Sequence, residues 1–213
     1  MPKLLKNHLD EIKVVLREDF GDFRSAPWME PHNKLDHGLR TAVIAETLRQ
    51  NICPDDPSVD PTVLMVASWF HDIRNSRSDD HEKEGAEVIP SLIGKYGSEE
   101  EIRSVCEIVR YHDHRTLEDE KKYSTAIKLV QDADRLDHLG TFDIRANFFC
   151  ICYCREPIEE FTKSYENGAF DHWAKEERKE LNFAFSKEVY DEKIEFQRQF
   201  GLRMIREMRG ELC

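Results

Sequence analysis

The sequence predicts an all-α protein: a compact helical bundle with a helical extension at its C-terminal end. Three observations carry this. Apolar residues recur at helical spacing in one stretch after another from residue 4 to residue 154, no stretch alternates with the two-residue period of a strand, and helix-start signals precede several of the apolar runs. Hydrophobic residues make up 39% of the 213, including 12 Phe and 3 Trp, which is enough to fill a core. The 35% of charged residues suits the solvated outer faces of helices.

The first helix, over residues 4–20, sets Leu5, Leu9, Ile12, Val15, Leu16 and Phe20 along one face. Pro27 and Pro31 break the chain in the loop 21–31. A second helix, 34–50, turns Leu35, Leu39, Ala42, Val43, Ala45 and Leu48 inward. The connector that follows ends in Asp60-Pro61, an N-cap followed by proline at the first helical position. The next helix, 62–73, is apolar on almost every side through Val63-Leu64-Met65-Val66-Ala67-Ser68-Trp69-Phe70, so it belongs inside a core. After a polar loop, helix 81–96 carries Gly85, Ala86, Val88, Ile89, Leu92 and Ile93, and its small residues suit close packing. Ser98 and Glu101 have the spacing of a capping box and open helix 99–112. A charged loop runs to residue 124, helix 125–139 follows with Ile127, Leu129, Val130, Ala133 and Leu136, and 141–154 continues as helix. From Arg155 onward the chain is a highly charged tail whose aromatic residues, Phe161, Tyr165, Phe170 and Phe200 among them, can pack helices back on the body. The chain therefore reads as a single domain over 1–213, with a core at about 33–140 and an extension at about 155–213.

The net charge of −12 argues against a nucleic-acid binder, because neutralising a phosphate backbone needs a basic face. It leaves room for a small phosphorylated substrate held by a few local basic groups. No apolar run approaches the roughly 18 residues of a membrane span. The opening Met1-Pro2-Lys3-Leu4-Leu5-Lys6 is too polar for a secretory signal. Cys53, Cys106, Cys150, Cys152, Cys154 and Cys213 form no C-x-x-C pair, and the alternation at 150, 152 and 154 is a poor zinc pattern. The thiols are expected to be reduced and mostly buried, in a cytoplasmic protein.

The apolar helix ends in Trp69-Phe70-His71-Asp72-Ile73, which places an imidazole and a carboxylate at a buried helix end. Burying them unpartnered costs roughly 2–7 kcal/mol for the uncharged group and more for the carboxylate. A divalent metal removes that cost, since both groups are good ligands. An arginine or a backbone carbonyl is the other way to satisfy them. Further candidates fall near helix ends in the order His37, His71-Asp72, His81, His112 and Asp134.

The set resembles the HD-domain superfamily of metal-dependent phosphohydrolases. The likeness runs from about residue 33 to 140. His37 with Arg40-Thr41 matches the family's H-x-x-R-[VT] helix, His71-Asp72 matches the doublet that names it, and Asp132-Ala133-Asp134-Arg135-Leu136-Asp137 is similar to a segment of small bacterial members. The resemblance implies a metal held by His37, His71, Asp72 and Asp134. In binuclear branches two more histidines hold a second metal bridged by the doublet aspartate. His81 and His112 stand in the right order for that role, and the bland alternative is two solvent-facing histidines at helix ends. The ligand set accepts Mn, Co, Ni, Zn or Fe, one or two per chain.

The implied activity is hydrolysis of a nucleotide or another small phosphate ester by attack of metal-bound hydroxide on phosphorus. Arg40, Arg74 and Arg115 are the candidates for holding phosphate, each with a surface ion pair as its alternative. Asp72 sits at the metal, and Asp113 can either protonate the leaving group or orient His112. His114 is a spare ligand candidate. The run after the doublet, Ile73-Arg74-Asn75-Ser76, lacks the Lys or Glu-Asp of several HD enzymes, and no Gly-Tyr-Pro signature follows His112. Two other readings remain: a di-iron oxygenase of the same superfamily, which needs all six ligands, and a non-catalytic module that senses a nucleotide.

Overall fold

In the computed structural model, described for residues 3–74, 80–113 and 123–212, every regular element among the described residues is helical. The chain divides into two compact units, Met1–Asp137 and His138–Cys213.

The first unit holds a short 3-10 turn, Leu5–Asn7, and then α1 (Leu9–Phe20), α2 (Asn33–Ile52), α3 (Pro61–Phe70), α4 (His81–Ile93), α5 (Glu99–Tyr111) and α6 (Thr125–Asp137). Helix α3 is its centre, packed against α2, α5 and α6. Val63, Leu64, Val66, Ala67, Trp69 and Phe70 are all buried, as its all-round apolar character requires. Its start is fixed by Asp60, whose carboxylate accepts from the backbone N–H of Thr62 at 2.7 Å and Val63 at 3.0 Å, with Pro61 at the first helical position. Helix α5 opens on the capping box: Ser98 Oγ accepts from Glu101 N, and the Glu101 carboxylate accepts from Ser98 N at 2.8 Å. The same carboxylate accepts from the N–H of Leu5, at 3.3 Å, which ties the N-terminal turn to α5.

That tie accounts for one departure from the sequence reading. A single helix over 4–20 is interrupted at His8 (φ −134°), and Leu5 is fully buried before α1 begins. A second departure is at Gly140. Its φ of +75° with ψ of −132° is open to glycine and costly for other residues, so 125–139 and 141–154 are separate helices. Helix α3 also stops at Phe70, with His71 continuing in a turn.

The second unit holds α7 (Thr141–Cys154), α8 (Glu159–Glu166), α9 (Ala169–Glu177), a 3-10 turn at Arg178–Glu180, and α10 (Ala184–Met208). It begins earlier than the charge pattern at 155 indicates, because α7 shares a core with α8: Ile144 and Ile151 are buried with Phe161, and the rings of Phe148 and Phe161 stack at 4.9 Å. Gln197, fully buried on α10, accepts from the N–H of Gly140 at 2.8 Å and donates to Asp143 at 2.7 Å. The thiols are less buried than expected. Cys152 and Cys154 are exposed near the end of α7, and Cys53, Cys106 and Cys150 are half-buried. The apolar run of α7 is longer than the one face it buries, and its last turn stands in solvent. Among the described residues no helix is long and apolar enough to cross a membrane.

One contact positions the site. A Cβ added to Gly38 on α2 would stand 2.8 Å from the backbone oxygen of Trp69, so only glycine lets α2 lie this close to the end of α3. His37 and His71 are the neighbours of that crossing. Gly38→Ala is expected to destabilise the protein by about 1–3 kcal/mol in chemical denaturation, through forced separation of the two backbones.

Candidate metal centre

Helix α2 presents Lys34 and His37 one turn apart on one face, the end of α3 presents His71 and Asp72, and α6 presents Asp134 and Asp137, again one turn apart. His37 is 3% exposed, His71 0% and Asp72 6%.

The hydrogen bonds of the rings fix which nitrogen faces inward. His71 Nδ1 is 2.7 Å from the carbonyl oxygen of Ser68, which can only accept, so Nδ1 donates and Nε2 is the nitrogen turned to the cluster. His37 Nδ1 is 2.7 Å from Asp137 Oδ2. Burial would raise the carboxyl of Asp137, but hydrogen bonds from His37 and Arg40 outweigh it and hold it down to about 2, so it accepts from His37 Nδ1 and leaves Nε2 turned inward. The two Nε2 atoms are 3.1 Å apart. Asp134 Oδ1 stands 3.0 Å from His37 Nε2 and 3.5 Å from His71 Nε2. Asp72 Oδ2 stands 3.7 Å and 3.6 Å from the same two atoms.

Ligands about 2.1 Å from a shared ion stand roughly 3.0–3.4 Å from one another in octahedral or tetrahedral arrangements. The spacings in this cluster bracket that range. Two imidazole nitrogens and two carboxylate oxygens brought together in a buried cluster offer a cation four donor atoms. The donor set therefore fits a divalent metal, with nitrogen and carboxylate oxygen suited to the first-row ions.

The other oxygen of Asp72 faces a second group. Oδ1 lies 3.5 Å from His81 Nε2 and 3.8 Å from His112 Nε2. His112 is 1% exposed, and its Nδ1 is held at 2.7 Å by the carbonyl oxygen of Val109, which again turns Nε2 inward. His81 opens α4, and its ring lies 5.6 Å from that of His112. Each oxygen of Asp72 thus addresses its own pair of histidines.

Two residues of this cluster are given no role by the sequence reading, although Asp137 closes the family-like segment that starts at Asp132. Asp137 receives the Nδ1–H of His37 and is gripped by Arg40, Nε to Oδ1 at 2.8 Å and Nη2 to Oδ2 at 2.7 Å. Lys34 is buried with its ammonium against Asp72 Oδ2. Helical spacing is the signal that could have found both, since each lies three residues from a candidate ligand on its own helix. Burial would raise the Asp72 carboxyl, but the charges of His71 and Lys34 hold it well below the usual range.

The other candidates fall outside this inner group. Arg40 acts on His37 through Asp137. Arg74 is held by Asp19, with Nη1 to Oδ2 at 2.6 Å. Asp113 is exposed, and Val109 rather than Asp113 holds His112. Arg115 and His114 lie outside the described residues, as does most of the two loops on either side of α4 and α5 that flank the site in sequence.

The sequence matches the HD domain family over residues 35–139, the span that contains the metal-ligand candidates. The chain belongs to the HD-domain superfamily. This HD protein is 36% identical over 95 residues to a bifunctional uridylyltransferase/uridylyl-removing enzyme of Erythrobacter litoralis, a match covering 39% of the chain but only 10% of that much longer relative. Its fold is shared across nearly the whole length with solved structures of low identity. One is an HD-superfamily hydrolase of Bacillus thuringiensis, with a TM-score of 0.66 and 17% identity over 97% of this chain and 100% of that one. Another is Bacillus subtilis YpgQ, solved in complex with ADP, with a TM-score of 0.62 and 18% identity over 95% of each chain.

Two outcomes follow from the geometry. Asp137→Asn keeps the shape but weakens the acceptor behind His37, and is expected to lower metal affinity about 10–100-fold in a competition titration with a chelator. Burial, and then the charge of His71, push His112 down from 6.5 to about 4. A histidine whose folded pKa is depressed contributes stability in its neutral form, fully present above pH 6.5 and lost as the pH falls through 4. The chelator-treated protein should therefore lose stability across that window in denaturant titrations, and His112→Gln should flatten the loss.

Proposed function

We propose that this HD protein is a two-metal phosphohydrolase acting on a nucleotide or a closely similar small phosphate ester. The observation that carries the reading is the carboxylate of Asp72, which turns one oxygen to His37 and His71 and the other to His81 and His112. A one-metal centre has no use for the second pair, and two-metal sites commonly share a ligand between ions about 3.5–4 Å apart. Asp134 completes the first position. The complex of Bacillus subtilis YpgQ with ADP, a protein of the same fold, supports a nucleotide as the class of substrate.

Metals bound there would supply hydroxide from coordinated water and polarise a phosphoryl oxygen. The rest falls to the chain. His37 and His71 are held in one tautomer by Asp137 and Ser68 and need no reorganisation to offer Nε2. Arg40 keeps Asp137 ionised behind His37. The ammonium of Lys34, already beside Asp72, is placed to meet a non-bridging phosphoryl oxygen as negative charge builds there. Hydrolysis then forms one phosphorus–oxygen bond from water and breaks the bond to the leaving oxygen, which departs with its electron pair and takes up a proton.

The test is a panel of nucleoside mono-, di- and triphosphates, with cyclic nucleotides, incubated with protein loaded with Mn, Co or Ni, reading phosphate and pyrophosphate release. At least one should be turned over, and His71→Ala should lower the rate roughly a hundredfold or more. Lys34→Met should lower turnover at least about tenfold while metal content stays unchanged. Turnover that survives His71→Ala would place the chemistry elsewhere. Oxygen uptake in place of phosphate release, with two irons bound, would replace hydrolysis by oxygenation.

A further inference from the structure

The second unit contains a pocket that the metal centre does not explain. It is a cleft of about 320 Å³, lined from α7 by Asp143 and Asn147 and from α8 and α9 by Phe161, Tyr165, Phe170 and Trp173. That volume is at the lower end of what small-molecule sites occupy.

One wall is a run of aromatic rings. Phe161 and Tyr165 lie 5.5 Å apart, Tyr165 stacks on Phe170 at 4.5 Å, and Phe170 meets Trp173 at 5.7 Å. Gly201 on α10 lets this wall form. A Cβ there would stand 2.6 Å from the ring of Tyr165, so the ring lies flat against bare backbone. Trp173, at the rim, is 38% exposed despite its size.

The other wall carries a carboxylate fixed in place. Asp143 Oδ2 accepts from Gln197 Nε2 at 2.7 Å, and Gln197 is itself fully buried and anchored to Gly140. Among the described residues no lysine or arginine forms an ion pair with Asp143, whereas Arg198 holds Asp171 on the neighbouring helix α9. Burial pushes its carboxyl above the usual range, opposed by hydrogen bonds from Gln197 and Asn147 and by the charge of His138. The phenol of Tyr165 is pushed up to about 12 by burial and then by the charge of Asp143. The pocket thus combines electron-rich ring faces with a carboxylate that no lysine or arginine pairs among the described residues.

We propose that this pocket binds a small organic cation, a protonated amine whose ammonium pairs with Asp143 while its hydrocarbon part lies on the Tyr165–Phe170–Trp173 wall. A carboxylate and π faces on one cleft attract an ammonium together, and a net charge of −12 raises the local concentration of cations. A neutral ligand could at most donate a hydrogen bond to Asp143 without the charge attraction, and an anion would be repelled by it. The inference stands apart from the proposed hydrolysis and does not rest on it.

The test is a titration of the full-length protein with benzylammonium, and with benzyl alcohol as an uncharged control of the same shape, following the tryptophan indole N–H signals by NMR. The chain has 3 Trp, and Trp173→Phe identifies the third signal by its loss. Benzylammonium should shift the Trp173 signal saturably and bind at least about tenfold tighter than the alcohol. Asp143→Asn should bring the amine to the affinity of the alcohol. Should that variant fold poorly, Ala169→Lys at the exposed rim supplies a tethered ammonium and should block the amine. Equal binding of amine and alcohol, amine binding unchanged in either variant, or no saturable shift up to about 10 mM would each overturn the proposal.

Discussion

Four donor atoms held 3.0–3.7 Å apart in a buried cluster are the constraint on which the first unit is built. Two imidazole nitrogens and two carboxylate oxygens brought this close form a set that fits a divalent cation, with the ammonium of Lys34 already against one of the carboxylates. The surrounding helices bear the cost of that convergence. An apolar helix carries His71 and Asp72 inward, a glycine at position 38 allows α2 to reach them, and α6 closes the group with Asp134. Caps at Asp60 and Ser98 fix where α3 and α5 begin, and so fix the register of the residues at their far ends.

A second layer turns this cluster into a site with defined chemistry. Backbone oxygens of Ser68 and Val109 and the carboxylate of Asp137 each take an Nδ1 proton, and three histidines thereby turn Nε2 to the centre. Such backing groups raise the basicity of the ligand and hold it in place. Arg40 continues the chain behind Asp137, while Lys34 brings a positive charge into direct contact with Asp72. The cluster therefore combines donors that fit a metal with a buried ammonium, and Arg74, which Asp19 holds, takes no part in it.

Much of this was legible in the sequence. The apolar run before His71, the capping box at Ser98 and the Asp60-Pro61 start are local signals with local causes, and α3 and α5 begin where those signals place them. The motif residues identify the family because their order is retained along the chain. What was not legible depends on contacts between distant segments. Nothing near Leu5 announces that Glu101 will accept its N–H, and the first helix breaks there. Gly140 reads as one more residue in an apolar stretch until its positive φ ends a helix. Lys34 looks like an ordinary surface charge, and Asp137 belongs to the family segment without showing its role; the approach of α2 to α3 and α6 makes both part of the centre.

The central claim is that Asp72 serves two metal positions. The most direct measurement is the metal content of protein purified without added metal or chelator, read per chain for the wild type and for His112→Gln. The account predicts about two metals per chain in the wild type and about one in the variant, with the His37, His71, Asp72 and Asp134 position still filled. One metal per chain in both proteins would contradict it, and would leave His81 and His112 as buried histidines with no ligand role.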